Sequence, residues 1–120
     1  ETDDIDILLA KIKGIFKRRY QRSILSVNGV TLNLADRTAE IDGKPVELPA
    51  KEFDLLQLLM ENQGKALKKE YLFNTVWGSD SNSELQTLHV HINRLRQKLG
   101  DDPKNAKRLI TVWGVGYKFV

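Results

Sequence analysis

Three patterns of apolar residues follow one another along this chain, and each predicts a different kind of element. Between residues 25 and 48 apolar and polar positions alternate, which is typical of β-strands with one buried face. Between residues 49 and 99 apolar positions recur every three or four residues, which is typical of amphipathic helices. Strand-like runs return after residue 108. This order predicts a small sheet, then helices, then a pair of strands.

Turn residues divide the first pattern into four short strands, at residues 25–27, 30–34, 38–41 and 46–48. Asn28-Gly29 and Asp42-Gly43 are strong signals for two-residue hairpin turns. All the connections are too short for a crossover, so the strands are expected to form an antiparallel meander.

The rest of the chain reads as three helices and a hairpin. Pro49 opens the first helix and Gly64 suits its end, Lys68 begins a short second helix, and the third spans residues 85–99. Residues 109–112 and 116–120 flank a turn at Trp113 and predict a hairpin. A helix, a short helix, a loop, a basic helix and a hairpin form a winged helix-turn-helix, so the fold class is expected to be α+β.

The third predicted helix has an apolar stripe on one side and a polar, cationic surface on the other. The stripe consists of Leu85, Leu88, Ile92, Leu95 and Leu99. The opposite side carries Gln86, Val90, Asn93, Arg94 and Gln97, with His91, Arg96 and Lys98 on its flanks. No Asp or Glu lies between Gln86 and Leu99.

These side chains are of the types that read base edges in a DNA major groove. The guanidinium of Arg94 can bind guanine through two hydrogen bonds, the amide of Asn93 can pair with adenine, and Val90 can contact a thymine methyl group. We therefore predict base contacts from Val90, Asn93 and Arg94. The alternative for this helix is a solvated cationic face.

Residues 1–22 predict a further amphipathic helix, acidic at its start and basic at its end. Six cations lie between Lys11 and Arg22 with no acid among them. Its apolar stripe is not needed by the small domain that follows. Either it is the last helix of a preceding domain, which we favour, or it is a self-association surface.

Composition excludes several other classes of protein. Apolar content of 41% and a net charge of +3 are ordinary for a soluble globular domain. The absence of Cys rules out a disulfide framework and a zinc finger, and His89 and His91 are wrongly spaced to share a metal on a helix. No arrangement of nucleophile, base and acid is evident, so we expect no enzyme, metal or cofactor. No apolar run is long enough to span a membrane, and a cytoplasmic location is expected.

Between residues 25 and 120 the chain resembles the effector domain of the OmpR/PhoB family of bacterial response regulators. The resemblance rests on LPAKEFDLLQLL at 48–59, VWG at 76–78, VHINRLRQKLG at 90–100 and GVGYKF at 114–119, in that order and spacing. IDILLAKIKGIFKRR at 5–19 is similar to the final helix of that family's receiver domain and its basic linker.

The resemblance implies a four-stranded N-terminal antiparallel sheet, a three-helix core and a C-terminal β-hairpin wing. Residues 1–23 would be the end of a receiver-like helix with a basic linker, and residues 24–120 the winged-helix DNA-binding domain. It implies promoter double-stranded DNA with tandem direct repeats as the ligand, a homodimer on DNA, and a sensor kinase acting through a receiver domain. The loop from Gly78 to Glu84 matches a segment used for RNA polymerase contact or for helix orientation.

The resemblance also assigns roles to individual residues. Val90, Asn93 and Arg94 fall where the family's recognition helix meets bases. Positions at or near the DNA backbone are Trp77, His91, Arg96, Lys98, Thr111 and Tyr117. The chain departs from the family at Gln86, at His89 and at Trp113, where the wing usually carries arginine. Trp113 is expected either to stack over sugar and backbone or to fold onto apolar protein surface. The alternative function is a winged-helix module that binds protein and not DNA.

Overall fold

The computed structural model describes residues 23–78, 84–102 and 105–120, which form two small sheets packed around three helices. In chain order the elements are β1 (Ile24–Val27), β2 (Val30–Asn33), β3 (Thr38–Ile41), β4 (Lys44–Val46), α1 (Ala50–Glu61), β5 (Leu67–Lys68), α2 (Lys69–Trp77), α3 (Gln86–Leu99), β6 (Leu109–Val112) and β7 (Gly116–Phe119). The predicted winged helix-turn-helix with an N-terminal antiparallel sheet is therefore confirmed.

Strands β1 to β4 form the expected antiparallel meander. Asn28 and Asp42 both have φ above +50°, as the first positions of tight two-residue hairpin turns require. The predicted start of the fourth strand is wrong by two residues. Because the two-residue turn at Asp42-Gly43 pairs Ile41 directly with Lys44, β4 begins at Lys44 and has ended before Leu48.

The three helices bury their apolar stripes in one core with the inner faces of both sheets. Within α3 the stripe is buried as predicted at Leu88, Ile92, Leu95 and Leu99, but Leu85 is 41% exposed. Leu85 precedes the first residue of the helix, so it lies beyond the part of the stripe that faces the core. The fully buried large side chains are Phe53, Phe119, Leu32, Leu55, Leu56, Leu59, Met60, Leu72, Leu88, Ile92, Leu95 and Leu109.

A short strand that the sequence pattern did not predict fixes the C-terminal hairpin to the helices. β5 pairs with β7, so β5, β7 and β6 form a three-stranded sheet. Gly116 permits this pairing, because a Cβ atom at that position would lie 2.0 Å from the carbonyl oxygen of Leu67. Two residues of strand are too few to show a periodic pattern, which explains why β5 was missed.

Arg108 joins the N-terminal sheet to the end of α3. Its guanidinium donates hydrogen bonds to the carbonyl oxygens of Asn28 and Leu99, and it forms an ion pair with Asp42 at 2.6 Å. The backbone leaves α3 through Gly100, whose φ of +74° is left-handed. The orientation of α3 is thus held at its C-terminal end by the first sheet.

Two predictions fall outside the described residues. The first is the receiver-like helix and linker proposed for residues 1–23, of which residues 1–22 are not described. The second is the loop from Gly78 to Glu84, of which residues 79–83 are not described. Within the described part of the chain, none of the helices combines the length and the apolar character that crossing a bilayer would require.

Candidate nucleic-acid interface

The outward side of α3 presents the residues that the sequence pattern placed there. Gln86, Val90, Arg94 and Gln97 are exposed and Asn93 is half-buried, while the opposite side is packed into the core. Val90 is 41% exposed, so its side chain is open to a ligand. Because the helix contains no carboxylate, its outward side can approach a polyanion without charge repulsion.

The flank of α3 that faces the hairpin is held by Arg96. Its Nε donates to the carbonyl oxygen of Leu109 at 3.0 Å, and its Nη2 donates to the hydroxyl of Thr111 at 2.6 Å. Its guanidinium carbon lies 5.7 Å from the ring centre of Tyr117. The residue is only 5% exposed and these two donors are directed to the hairpin. The phosphate contact of Arg96 stays a prediction, and this geometry does not favour it.

The same flank joins His89 to Tyr117 through a hydrogen bond of 3.2 Å between Nδ1 and the phenol oxygen. Burial raises the pKa of Tyr117, and the positive charge of Arg96 opposes that rise. The phenol is therefore protonated at neutral pH. Thr111 and Tyr117 line the groove between α3 and the hairpin. Their hydroxyl groups are the polar parts that the two predicted backbone contacts would use.

The other flank of α3 packs against α2. The ring of His91 meets the indole of Trp77 edge-on at 4.9 Å, and that indole stacks on Phe73 at 5.3 Å. Nδ1 of His91 lies 2.9 Å from the carbonyl oxygen of Thr87, and since a carbonyl only accepts, Nδ1 carries the hydrogen. Nε2 is left as the ring nitrogen that a ligand could reach.

Lys98 is directed away from this surface. Its Nζ lies 2.7 Å from Oε1 of Glu52, a carboxylate whose side chain is 3% exposed and which belongs to the first turn of α1. A buried carboxylate requires a partner, and the ammonium group supplies it. Because this cation compensates a buried charge, a phosphate would compete with Glu52 for it, and the phosphate contact of Lys98 stays a prediction. Sequence reasoning missed the pair, since Glu52 and Lys98 are 46 positions apart.

The tip of the hairpin carries Trp113. A hydrogen bond from the amide of Val115 to the carbonyl of Val112 closes a tight turn, and Gly114 has φ +80° at its third position, where type II turns favour glycine. Trp113 is 90% exposed, so of its two expected orientations it does not fold onto the protein surface. It borders the same groove as Asn93 and Gln97.

The described residues contain no group of three or more His, Asp or Glu side chains that could hold a metal ion. The structure does bring the three predicted base-contacting residues to one surface, with the hairpin on one side of it and α2 on the other. Of the six predicted backbone contacts, Trp77, His91, Thr111, Tyr117 and Arg96 border that surface, with Tyr117 and Arg96 both almost fully buried, while Lys98 pairs with Glu52. Their contacts with DNA stay predictions.

Comparison with known protein families assigns residues 43–119 to the family described as "Transcriptional regulatory protein, C terminal". The chain is 37% identical over 118 residues to the sensory transduction protein RegX3 of Mycolicibacterium smegmatis, an alignment that covers 92% of this chain and 52% of the relative. The chain therefore spans about half the length of that relative.

Solved structures with this fold include two with a TM-score of 0.74. One is the DNA-binding domain of Klebsiella pneumoniae RstA in complex with the RstA box, at 28% identity, covering 81% of this chain and 96% of that one. The other is the Thermotoga maritima response regulator DrrB, an OmpR/PhoB homologue, at 33% identity, covering 95% of this chain and 51% of that one.

Proposed function

Because the chain belongs to the family of transcriptional regulatory protein C-terminal domains, in its OmpR/PhoB branch, we propose that it regulates transcription by binding promoter DNA through α3. The activity is sequence-specific recognition of double-stranded DNA by the effector domain of a two-component response regulator. It involves no catalytic step by this domain.

The observation that carries the proposal is the composition of the exposed side of α3. One side of α3 is packed into the core. The other side presents an aliphatic side chain, an amide and a guanidinium together, at Val90, Asn93 and Arg94. These three groups match a thymine methyl, an adenine edge and a guanine edge in the major groove. An acidic or strongly apolar exposed face would favour the protein-binding alternative, and the exposed face of α3 is cationic and polar.

Contacts with phosphates would position this helix without reading sequence. We propose the ring of His91 and the indole of Trp77 on the α2 side, and the hydroxyl groups of Thr111 and Tyr117 on the hairpin side. These four residues border α3 from both directions. Arg96 is held by Leu109 and Thr111, and Lys98 pairs with Glu52.

Selection of bound sites from a pool of random duplexes tests the proposal directly. We expect enrichment of one short motif, and tighter binding of the enriched duplex than of random duplex at the same salt concentration. A domain that folds but retains no duplex above background would contradict DNA binding, and the protein-interaction alternative would then stand. Equal affinity for enriched and random duplexes would contradict sequence specificity.

Two copies are proposed to bind tandem direct half-sites about one helical turn, or 10–10.5 base pairs, apart. At that spacing both copies lie on the same face of the duplex and can touch each other. An insertion of about half a turn between the half-sites is expected to weaken binding of the second copy by about fivefold or more. Quantitative footprinting measures this effect. Protection of inverted repeats only, or insensitivity to the insertion, would contradict the arrangement.

The partners of the whole protein are proposed on the same basis. Residues 1–23 would connect a receiver domain, phosphorylated by a sensor kinase, to this domain, and the loop from Gly78 to Glu84 would contact RNA polymerase or orient α3. Support for both comes from the family to which the chain belongs.

A further inference from the structure

The most exposed large apolar side chain in the described part of the molecule is that of Trp113, at 90%. A tight turn closed at Val115 presents it, and the amide of Lys69 donates to the carbonyl oxygen of Val115 at 3.3 Å, which fixes the turn to the start of α2. A large aromatic group held in water on a fixed support offers apolar surface that a ligand can cover with a gain in free energy.

The position of Trp113 relative to α3 identifies the kind of ligand. One groove is bordered on one side by His89, Asn93 and Gln97 of α3 and on the other by Trp113. If α3 lies in a major groove, this protein groove receives the adjoining sugar–phosphate strand. The hairpin tip then reaches past that strand, where the neighbouring minor groove opens. Lys69 also borders the groove, and its cation suits a phosphate strand.

We propose that Trp113 enters the minor groove beside the half-site and selects for its width and deformability. This inference rests on the proposed function. The indole is flat and apolar, so it gains free energy by packing against deoxyriboses, and its single N–H can donate to the N3 or O2 acceptors on the groove floor.

The indole and an arginine would favour opposite DNA shapes at this position. A narrow A-tract groove concentrates negative potential, which attracts a guanidinium but offers nothing to a neutral ring and leaves little room for it. Pyrimidine–purine steps such as TpA and CpA deform easily and can open to admit the indole. The flanking sequence, which α3 does not contact, would thus contribute to specificity.

The test uses two duplexes that carry the same selected half-site and differ only in the adjoining minor-groove segment. One has an A-tract there and the other has TpA steps. We expect the wild-type domain to bind the TpA duplex about fivefold or more tightly than the A-tract duplex, the scale of one aromatic contact with DNA. Trp113→Ala should abolish the difference, Trp113→Phe should retain part of it, and Trp113→Arg should reverse it.

Salt dependence provides a second, independent measurement. Each phosphate neutralised by a cation contributes about 0.9 to the slope of log affinity against log salt concentration. Trp113→Arg should therefore steepen the slope by up to about one unit and raise the affinity at low salt. Trp113→Ala should leave the slope unchanged, because no charge is lost.

The outcomes separate this inference from the proposed function. The flank ratio is the affinity for the TpA duplex divided by the affinity for the A-tract duplex. If the wild-type domain and Trp113→Ala bind the half-site with the same flank ratio, the role of Trp113 is overturned and DNA recognition by α3 remains intact. If Trp113→Ala loses cooperative binding to tandem sites but keeps the wild-type flank ratio, Trp113 contacts the second protein copy, and this outcome also overturns the inference. Failure of the wild-type domain to prefer the half-site over random duplex would contradict the proposed function itself. Equal melting temperatures of the variants confirm folding, as expected for a residue 90% exposed.

Discussion

Replacing Arg94 by alanine is expected to lower affinity for the selected half-site by about 1–3 kcal/mol, the usual effect of losing one bidentate contact to guanine. Affinity for random duplex should fall much less, because that binding depends on many phosphate contacts. Arg94 is exposed on α3, so the substitution removes no internal packing. Fluorescence anisotropy with both duplexes at one salt concentration measures the two losses.

Arg94→Lys is the matched variant for this prediction. Lysine keeps the charge but lacks the planar pair of donors that binds guanine through two hydrogen bonds. We expect it to restore binding to random duplex and to leave most of the specific loss in place. Equal losses on both duplexes in Arg94→Ala would show instead that Arg94 contacts a phosphate, and full rescue by lysine would lead to the same conclusion.

Replacing Arg96 by alanine, two positions further along α3, is expected to lower the free energy of unfolding by about 2–4 kcal/mol. A hydrogen bond from a charged donor contributes about 1.5–3 kcal/mol, and Arg96 donates to both Leu109 and Thr111. Because both bonds are made by one side chain, their contributions add only in part. The melting temperature of a domain of this size falls by about 4–8 °C for each kcal/mol lost. Urea unfolding followed by circular dichroism measures the change.

The two arginines are controls for each other. Arg94→Ala should unfold at the wild-type urea concentration, while Arg96→Ala should unfold earlier. Thr111→Val should lose only part of the stability, because the bond to the Leu109 carbonyl remains. An Arg96→Ala domain as stable as the wild type would contradict the structural role of this residue and would strengthen the prediction that it contacts a phosphate.

Arg94 and Arg96 thus differ in exposure although they are residues of the same type on one helix, and the sequence pattern could not distinguish them. Periodicity placed Arg96 on a flank, where it could face either solvent or another element. The choice was made by the hairpin, which brings the carbonyl of Leu109 and the hydroxyl of Thr111 within reach of its guanidinium. The partner of Lys98 was likewise out of reach of periodicity, because Glu52 lies 46 positions away.

The sequence by itself determined the order of the elements other than β5, the winged helix-turn-helix fold, and the composition of the outward side of α3. These features depend on local signals, namely the period of apolar residues, the tight turns at Asn28-Gly29 and Asp42-Gly43, and the end of α3 at Gly100. Each signal acts over a few residues, so it can be read without knowledge of the rest of the chain.

Only the tertiary structure decided the pairing of β5 with β7, the partners of Arg96 and Lys98, and the exposure of Trp113. All of these depend on distances between segments that are far apart in the chain. Burial of a charged side chain depends on whether a distant acceptor compensates for the lost hydration, and the sequence does not contain that distance. The exposure of an aromatic ring depends equally on whether packed surface lies within its reach, and at the hairpin tip the fold leaves the Trp113 ring in solvent.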